Sequence, residues 1–489
     1  MQPDARAALR RAWLKQEKAR CEQLGQTRPD DASIWRKLGN TCWELGEAEQ
    51  SLIALDRALV LQPEDPSLLL DYATICLASS RFEPALSAVE RALAIQPDDC
   101  DGLLLRADAL RLLGRLAEAL AAYERALDLS GLSASQRLHA LSHQAVLLMR
   151  QQAYEPALAV VEQALRLAPD DPQLTLLRSS IFIKLRRWEE ALPGLEQVAT
   201  IPELNLGALA NKAWALAALE RFEEAESILN ELHVRHDWQR LGLAFGEDLS
   251  HWMPFDDFLP KRYTARGLYL YSFFNALAEC DWRDYEATLA RLDGLIGEIW
   301  QYGRVVGTEQ HRLLHLPVAP EFLLKTAKAR AEIMEKFATP LRRQLTLVHA
   351  EPAADGRLRI GYVSGDFRDH ATAHLARKLF RAHDRHRFEI IGYTLRPGDE
   401  SVYWRDISRT CDRMVDLSQS SNCEAARRIA ADGVHILVDL HGYTKYGRQE
   451  IFALRPAPVQ VSFLGYPGTL GGDYISHVIA DEVVLPEDL

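Results

Sequence analysis

Seven cysteines are scattered from Cys21 to Cys423 and no two form a CxxC pair, so the chain carries neither a disulfide framework nor a cysteine-based zinc site. A reducing cytoplasm suits such a composition. Positive charge is also short. With 57 Lys and Arg against 69 Asp and Glu the formal net charge is -12, which argues against nucleic-acid binding built on phosphate neutralisation. No apolar run approaches the length that crosses a bilayer, and the first twenty residues are charged throughout, so neither a membrane partner nor a signal peptide is expected. Two phosphate-binding signatures are missing as well: no GxxxxGK[ST] and no complete GxGxxG occurs. Nucleotide hydrolysis of the P-loop kind and dinucleotide redox chemistry therefore rank low.

What is present is a repeat. At 489 residues, 48% hydrophobic and 26% charged, the chain has room for two to four ordinary globular domains. Pro63 and Pro97 stand 34 residues apart, closing the similar phrases DRALVLQPED and ERALAIQPDD. Ala58, Ala92, Ala126 and Ala164 precede the loops, and Ala85, Ala119, Ala157, Ala191 and Ala225 recur at an earlier offset; small residues there let paired helices approach closely. Trp35, Leu38, Gly39, Ala58 and Pro63 fall at offsets similar to the tetratricopeptide consensus. Six units are expected, starting near Ala32, Pro66, Cys100, Leu138, Pro172 and Leu206. About four extra residues around Gly131 to Gln136 should widen the loop after the third. The expected organisation is a helical cap over 1–31 and an α-solenoid over 32–236, whose concave face would take protein or peptide.

From 237 to 350 the period disappears and aromatics become dense: Trp252, Phe255, Phe258, Tyr263, Tyr269, Tyr271, Phe273 and Phe274. This segment reads as a packed helical connector. His311 and His315, four apart, would face the same way on a helix, but lone histidines of this kind more often pack or lie on the surface, and no metal is expected. After Gly356 the rhythm becomes strand, helix, strand. LRIGYVS, FEIIGYTL, DRMVDLS, HILVDLHG and PVQVSFLG are short apolar runs with helical patterns between them, and YISHVIADEVV is a sixth. Residues 351–489 are thus expected to form a Rossmann-like parallel sheet, giving α + α/β for the whole.

Polar residues collect where the strands should end, which is where open α/β sheets bind ligands. The first run leads into Asp366, Asp369, His370, Thr372 and His374, ahead of a helix expected near Leu375. The fourth leads into HGYTKYGR and the fifth into LGYPGT.

With these residues in view, the chain resembles the protein O-GlcNAc transferase family, including its bacterial and SPINDLY-like members. The resemblance rests on the repeats followed by CDWRDY, GYVSGDFRDHATAH and ALRPAPVQVSFLGYPGT. It implies an inverting, metal-independent glycosyltransferase of GT-B type that needs no cofactor and moves N-acetylglucosamine from UDP-GlcNAc to Ser or Thr hydroxyls of proteins held by the repeats. SPINDLY-like members make GDP-fucose the alternative donor, and a catalytically silent binding module is the alternative from another class. Asp366, His370 and Thr372 fall on the family's DFxxHxT positions near sugar and attacking hydroxyl. His311, Arg448, Leu464, Gly465 and Pro467 match donor-site positions. Asp369 replaces an asparagine, and His441 is assigned no role. The resemblance also implies that a second lobe, carrying most of the nucleotide site, lies outside these residues, leaving this chain alone weak for UDP-GlcNAc.

The attacking hydroxyl needs a proton acceptor within reach. A neutral His370 qualifies, as its ordinary pKa near 6.5 permits. Asp366 and the donor's own phosphate are the other candidates.

Overall fold

The computed structural model describes residues 3–235, 261–262, 264–299, 304–305, 310–349 and 356–485, and the chain divides into two compact units, Met1–Val198 and Ala199–Leu489. In the first unit a long helix, Pro3–Thr27, precedes five helix pairs. They are Ala32–Glu44 with Ala48–Leu61, Pro66–Ala78 with Phe82–Ile95, Cys100–Leu112 with Leu116–Asp128, Ala134–Arg150 with Tyr154–Leu167, and Pro172–Lys184 with Trp188–Val198.

The repeat works through two kinds of residue. Acceptors cap the first helix of each pair: the side chains of Asp31, Asp65, Asp99, Ser133 and Asp171 each take a backbone N–H of the first turn, which satisfies donors that a helix start leaves unpaired. Small residues set the spacing between helices. Ala85, Ala119, Ala157 and Ala191 have no exposed surface, and a Cβ on Gly39 would lie 2.6 Å from Leu55 Cγ. The first four caps keep the 34-residue interval, whereas Asp171 follows Ser133 by 38 residues. The four extra residues thus do not widen a loop, as expected, but lengthen a helix: Ala134–Arg150 has 17 residues where Cys100–Leu112 has 13, about one additional turn. A reciprocal capping box between Ser133 and Gln136 starts that helix at Ala134, on the 34-residue interval and four residues before the unit start expected near Leu138, and so draws the supposed loop residues into it.

The second unit opens with a further pair, Asn205–Ala218 and Phe222–Arg235, then Ala265–Ala278 and Tyr285–Ile299. Trp214 Nε1 donates to Ser272 Oγ, and Tyr269, Phe273, Phe274, Leu292 and Ile296 form one buried cluster. The expected dense packing of aromatics is therefore seen here, while Trp252, Phe255, Phe258 and Tyr263 lie outside the described residues. Among the described residues no helix is long and apolar enough to cross a membrane.

Six parallel strands follow: β1 Leu358–Ser364, β2 Phe388–Thr394, β3 Arg413–Asp416, β4 Ile436–Asp439, β5 Val459–Phe463 and β6 His477–Ile479. Their spatial order is β3-β2-β1-β4-β5-β6, the doubly wound order, and all neighbours run parallel. Apolar layers cover both faces, as an all-parallel sheet requires. Val363, Ile391, Tyr393 and Leu437 pack on one side with Met334 and Ala338 of the helix Pro320–Leu345 and with Ile429. On the other side Ile360, Tyr362, Ile390 and Val438 pack with Phe380 and Ile407. The chain leaves β1 toward β2 and β3 and returns on the far side of β1 to make β4. The carboxyl ends of β1 and β4 therefore flank the point where winding reverses, the position at which such sheets open a crevice.

Candidate active site

The loops after β1 and β4 meet over one carboxylate. Asp366 follows the Ser364-Gly365 turn; its amide donates to Ser364 Oγ at 3.0 Å and its side chain is only 8% exposed. Asp366 Oδ2 faces two imidazoles, His370 Nδ1 at 3.5 Å and His441 Nε2 at 3.2 Å. His370 is half exposed and caps a short helix, Ala371–Ala376, with Nδ1 accepting the Thr372 N–H at 3.3 Å. The helix expected near Leu375 thus begins earlier because a histidine supplies the cap. His441 is buried, at 1% exposure. Its Nδ1 lies 2.5 Å from Thr444 Oγ1, while Nε2 has no aligned hydrogen-bond partner among the described residues. Burial pushes His441 below the ordinary imidazole range although the Asp366 charge opposes this, so the ring is neutral at pH 7.

Asp439, the last residue of β4, holds the second loop in place. Fully enclosed, it accepts from His441 N at 2.9 Å, Gly442 N at 3.0 Å and Gln449 Nε2 at 2.6 Å. Burial raises its pKa against these donors. Gly365 lets the two loops close up: a Cβ there would sit 3.0 Å from His441 Nε2 and 3.3 Å from Arg396 Cδ. Arg396 lies with its guanidinium 3.9 Å above the centre of the Tyr446 ring, bringing a cation to the same edge of the sheet.

The residues singled out in the sequence fall into three groups. Asp366, His370 and Thr372 stand together at the end of β1. Leu464, Gly465 and Pro467 form the turn after β5; Leu464 has φ +66°, and a Cβ on Gly465 would lie 1.9 Å from the Leu440 carbonyl oxygen, so this turn lies against the loop that carries His441. Only glycine permits that backbone approach. Arg448 and His311 are placed differently. Arg448 is buried, at 8% exposure, and its guanidinium donates to Asn422 Oδ1 at 2.8 Å, Leu417 O at 3.1 Å and Ser420 O at 2.8 Å, pinning the segment after β3. His311 is exposed on the short helix Gln310–Leu313 with its ring 5.1 Å from that of His315.

Asp369, whose charge would oppose a diphosphate, is paired instead: its carboxylate meets His374 Nε2 at 2.7 Å, and its amide donates to Asp399 Oδ2 at 2.9 Å. His374 also stacks on Tyr403, 4.1 Å between ring centres. Sequence reasoning missed His441, Asp439 and Arg396. The signal for His441 is topological: it follows the strand that neighbours β1, and strand order is not written in the run of residues.

A family model for glycosyl transferase family 41 matches residues 279–489, and a tetratricopeptide repeat model matches 3–66, 73–134 and 143–203. A UDP-N-acetylglucosamine–peptide N-acetylglucosaminyltransferase from Caenorhabditis elegans is 37% identical over 212 residues, covering 42% of this chain and 18% of that protein. A probable enzyme of the same description from Arabidopsis thaliana, SEC, is 32% identical over 212 residues, covering 42% of this chain and 22% of its own. The chain thus aligns with about a fifth of these relatives' length. Among solved structures, a mutant O-GlcNAc transferase from Thermobaculum terrenum aligns with 85% of this chain and 53% of its own at 19% identity and a TM-score of 0.29.

Proposed function

We propose that this chain, whose residues 279–489 match the family model for glycosyl transferase family 41, belongs to an inverting protein O-glycosyltransferase that moves N-acetylglucosamine from UDP-GlcNAc to Ser or Thr hydroxyls. The observation that carries the reading is Asp366 set between two imidazoles at the switch point of the sheet, where a ligand's reactive end would lie. The helix pairs of residues 32–235 recruit the acceptor protein, and the cytoplasm, which suits the free cysteines, is where transfer takes place.

The acceptor oxygen attacks the anomeric carbon, the bond to the diphosphate breaks, and the hydroxyl proton passes to a base. His370 fills that role by tautomer choice. When Nδ1 accepts from the Thr372 N–H, the neutral ring holds its proton on Nε2 and can only donate there. When Nδ1–H turns to Asp366 Oδ2, 3.5 Å away, Nε2 carries a lone pair and accepts. Asp366 selects the second form and stabilises the imidazolium that results. Neutral, buried His441 lines the other side of the carboxylate without adding a positive charge that would weaken it as a partner for His370. Arg396 meets negative charge developing on the departing diphosphate, and Leu464, Gly465 and Pro467 line the donor's path.

Incubating the natural full-length protein with acceptor protein and either UDP-GlcNAc or GDP-fucose, and measuring nucleotide release with mass analysis of the acceptor, tests this reading. Release of UDP with a matching mass gain on Ser or Thr is expected. Turnover of GDP-fucose alone replaces the donor, and no transfer from either overturns the enzyme reading.

A further inference from the structure

The first unit holds a cluster unrelated to the sheet. Asp108 sits on the helix Cys100–Leu112, and His139 and His143, one turn apart, sit on the longer helix Ala134–Arg150 of the next pair. One ligand atom from each of the three lies within 4.8 Å of the others. We propose that Asp108, His139 and His143 form a binding site for a divalent transition-metal ion of the zinc, nickel or cobalt kind, which staples two successive repeats together.

Three observations support it. The carboxylate is already divided in use. Its Oδ1 accepts from the hydroxyl of Tyr123 and lies 3.6 Å from Arg111 Nη2, whereas Oδ2 faces His139 Nε2 at 2.9 Å. Oδ2 is thus the oxygen available to a metal, and Arg111 keeps its contact on the other one. Tyr123 has no exposed surface, so its hydroxyl orients Asp108 from behind, as the outer partners of metal-binding carboxylates do.

Second, the two imidazoles leave one helix at the spacing that presents both on one face. Their rings are 4.6 Å apart at the centres and nearly perpendicular. Ligand atoms around a tetrahedral ion with bonds near 2.0 Å stand about 3.3 Å apart, so side-chain adjustments close the present arrangement around an ion. That ion takes the place of the proton shared by His139 Nε2 and Asp108 Oδ2, and the displaced proton leaves to solvent or to His139 Nδ1.

Third, the ligand types are right: two imidazoles from one helix and one carboxylate from its neighbour converge at one place. Imidazole and carboxylate together favour zinc, nickel or cobalt over magnesium or calcium. The site is separate from the transfer chemistry proposed above and stands without it.

Calorimetric titration of the tag-free full chain with Zn²⁺ alone, and visible spectroscopy with Co²⁺ alone, test this. Wild type should take up one equivalent that is retained in His311→Ala/His315→Ala and lost in His139→Ala and His143→Ala, with a Co²⁺ band in wild type that both single variants lack. Tyr123→Phe should weaken binding about tenfold, the effect of losing an outer partner. His139 is 40% exposed, so His139→Ala keeps its fold, as circular dichroism verifies, and is the deciding variant. Absence of Zn²⁺ uptake by wild type overturns the proposal, as does uptake unchanged in folded His139→Ala.

Discussion

The imidazole of His441 meets the carboxylate of Asp366 at 3.2 Å although the two residues follow different strands, and the same carboxylate oxygen faces His370 at 3.5 Å. One buried charge thus serves two rings that differ in exposure, and the exposed ring is the one able to meet substrate.

His370→Ala should lower turnover by about a hundredfold or more, the size of a lost acid-base group, with binding of acceptor protein by the repeats unchanged. Asp366→Asn should act comparably while keeping the shape of the site. An amide donating to Nδ1 favours the tautomer with its proton on Nε2, which cannot accept. Steady-state kinetics of both variants check this; His370→Ala within about threefold of wild type would move the base role to Asp366 or the donor phosphate.

Gly365→Ala and Gly465→Ala should part in their effects. The added Cβ at 365 meets an imidazole edge and the flexible stem of Arg396, so the fold tolerates it and turnover falls. At 465 it meets the Leu440 carbonyl, which cannot swing aside, and stability should drop by about 3 kcal/mol. Thermal melts beside activity assays distinguish the two outcomes.

Asp399 ties the loop bearing His370 to the turn after β2. Burial alone would raise its pKa, but the Asp369 amide, Ser401 and Arg368 bring it down to about 2. A carboxyl whose pKa is lowered by folding contributes stability above its unfolded value near 3.9 and loses it as pH falls through the folded value. Wild type should therefore exceed Asp399→Ala by about 2 kcal/mol at pH 7, and the gap should shrink between about pH 4 and pH 2. Urea unfolding across this range measures it, and a gap independent of pH would contradict the assignment.

Arg448→Met should cost about 3 kcal/mol, because Leu417 O, Ser420 O and Asn422 lose charged donors in a buried place. Donor KM should be unchanged in the folded protein. A raised KM with an unaltered melting temperature would return Arg448 to the donor site that the family resemblance implies.

The architecture was legible because each element repeats or alternates with a physical period. Ala85 and Ala119 mark the close approaches of the solenoid, and LRIGYVS or HILVDLHG mark strands buried on both faces. Asp366 and His370 stood out because polar groups follow an apolar strand. His441 did not, because its meaning depends on β4 lying beside β1, a relation between distant segments. Arg448 illustrates the converse: its motif position resembles a donor contact, whereas burial and three local acceptors give it a holding role. The misplaced insertion has a similar origin, since counting residues cannot distinguish a wider loop from a longer helix unless the Ser133 cap is recognised.

The contact of Gly465 with Leu440 has a kinetic side. Two turns in backbone contact cannot swing independently, so the segment 464–469 and the segment 440–446 share one degree of freedom. On the transfer reading proposed above, a donor pressing on the first turn would shift the second, and with it His441 relative to Asp366, through main chain alone.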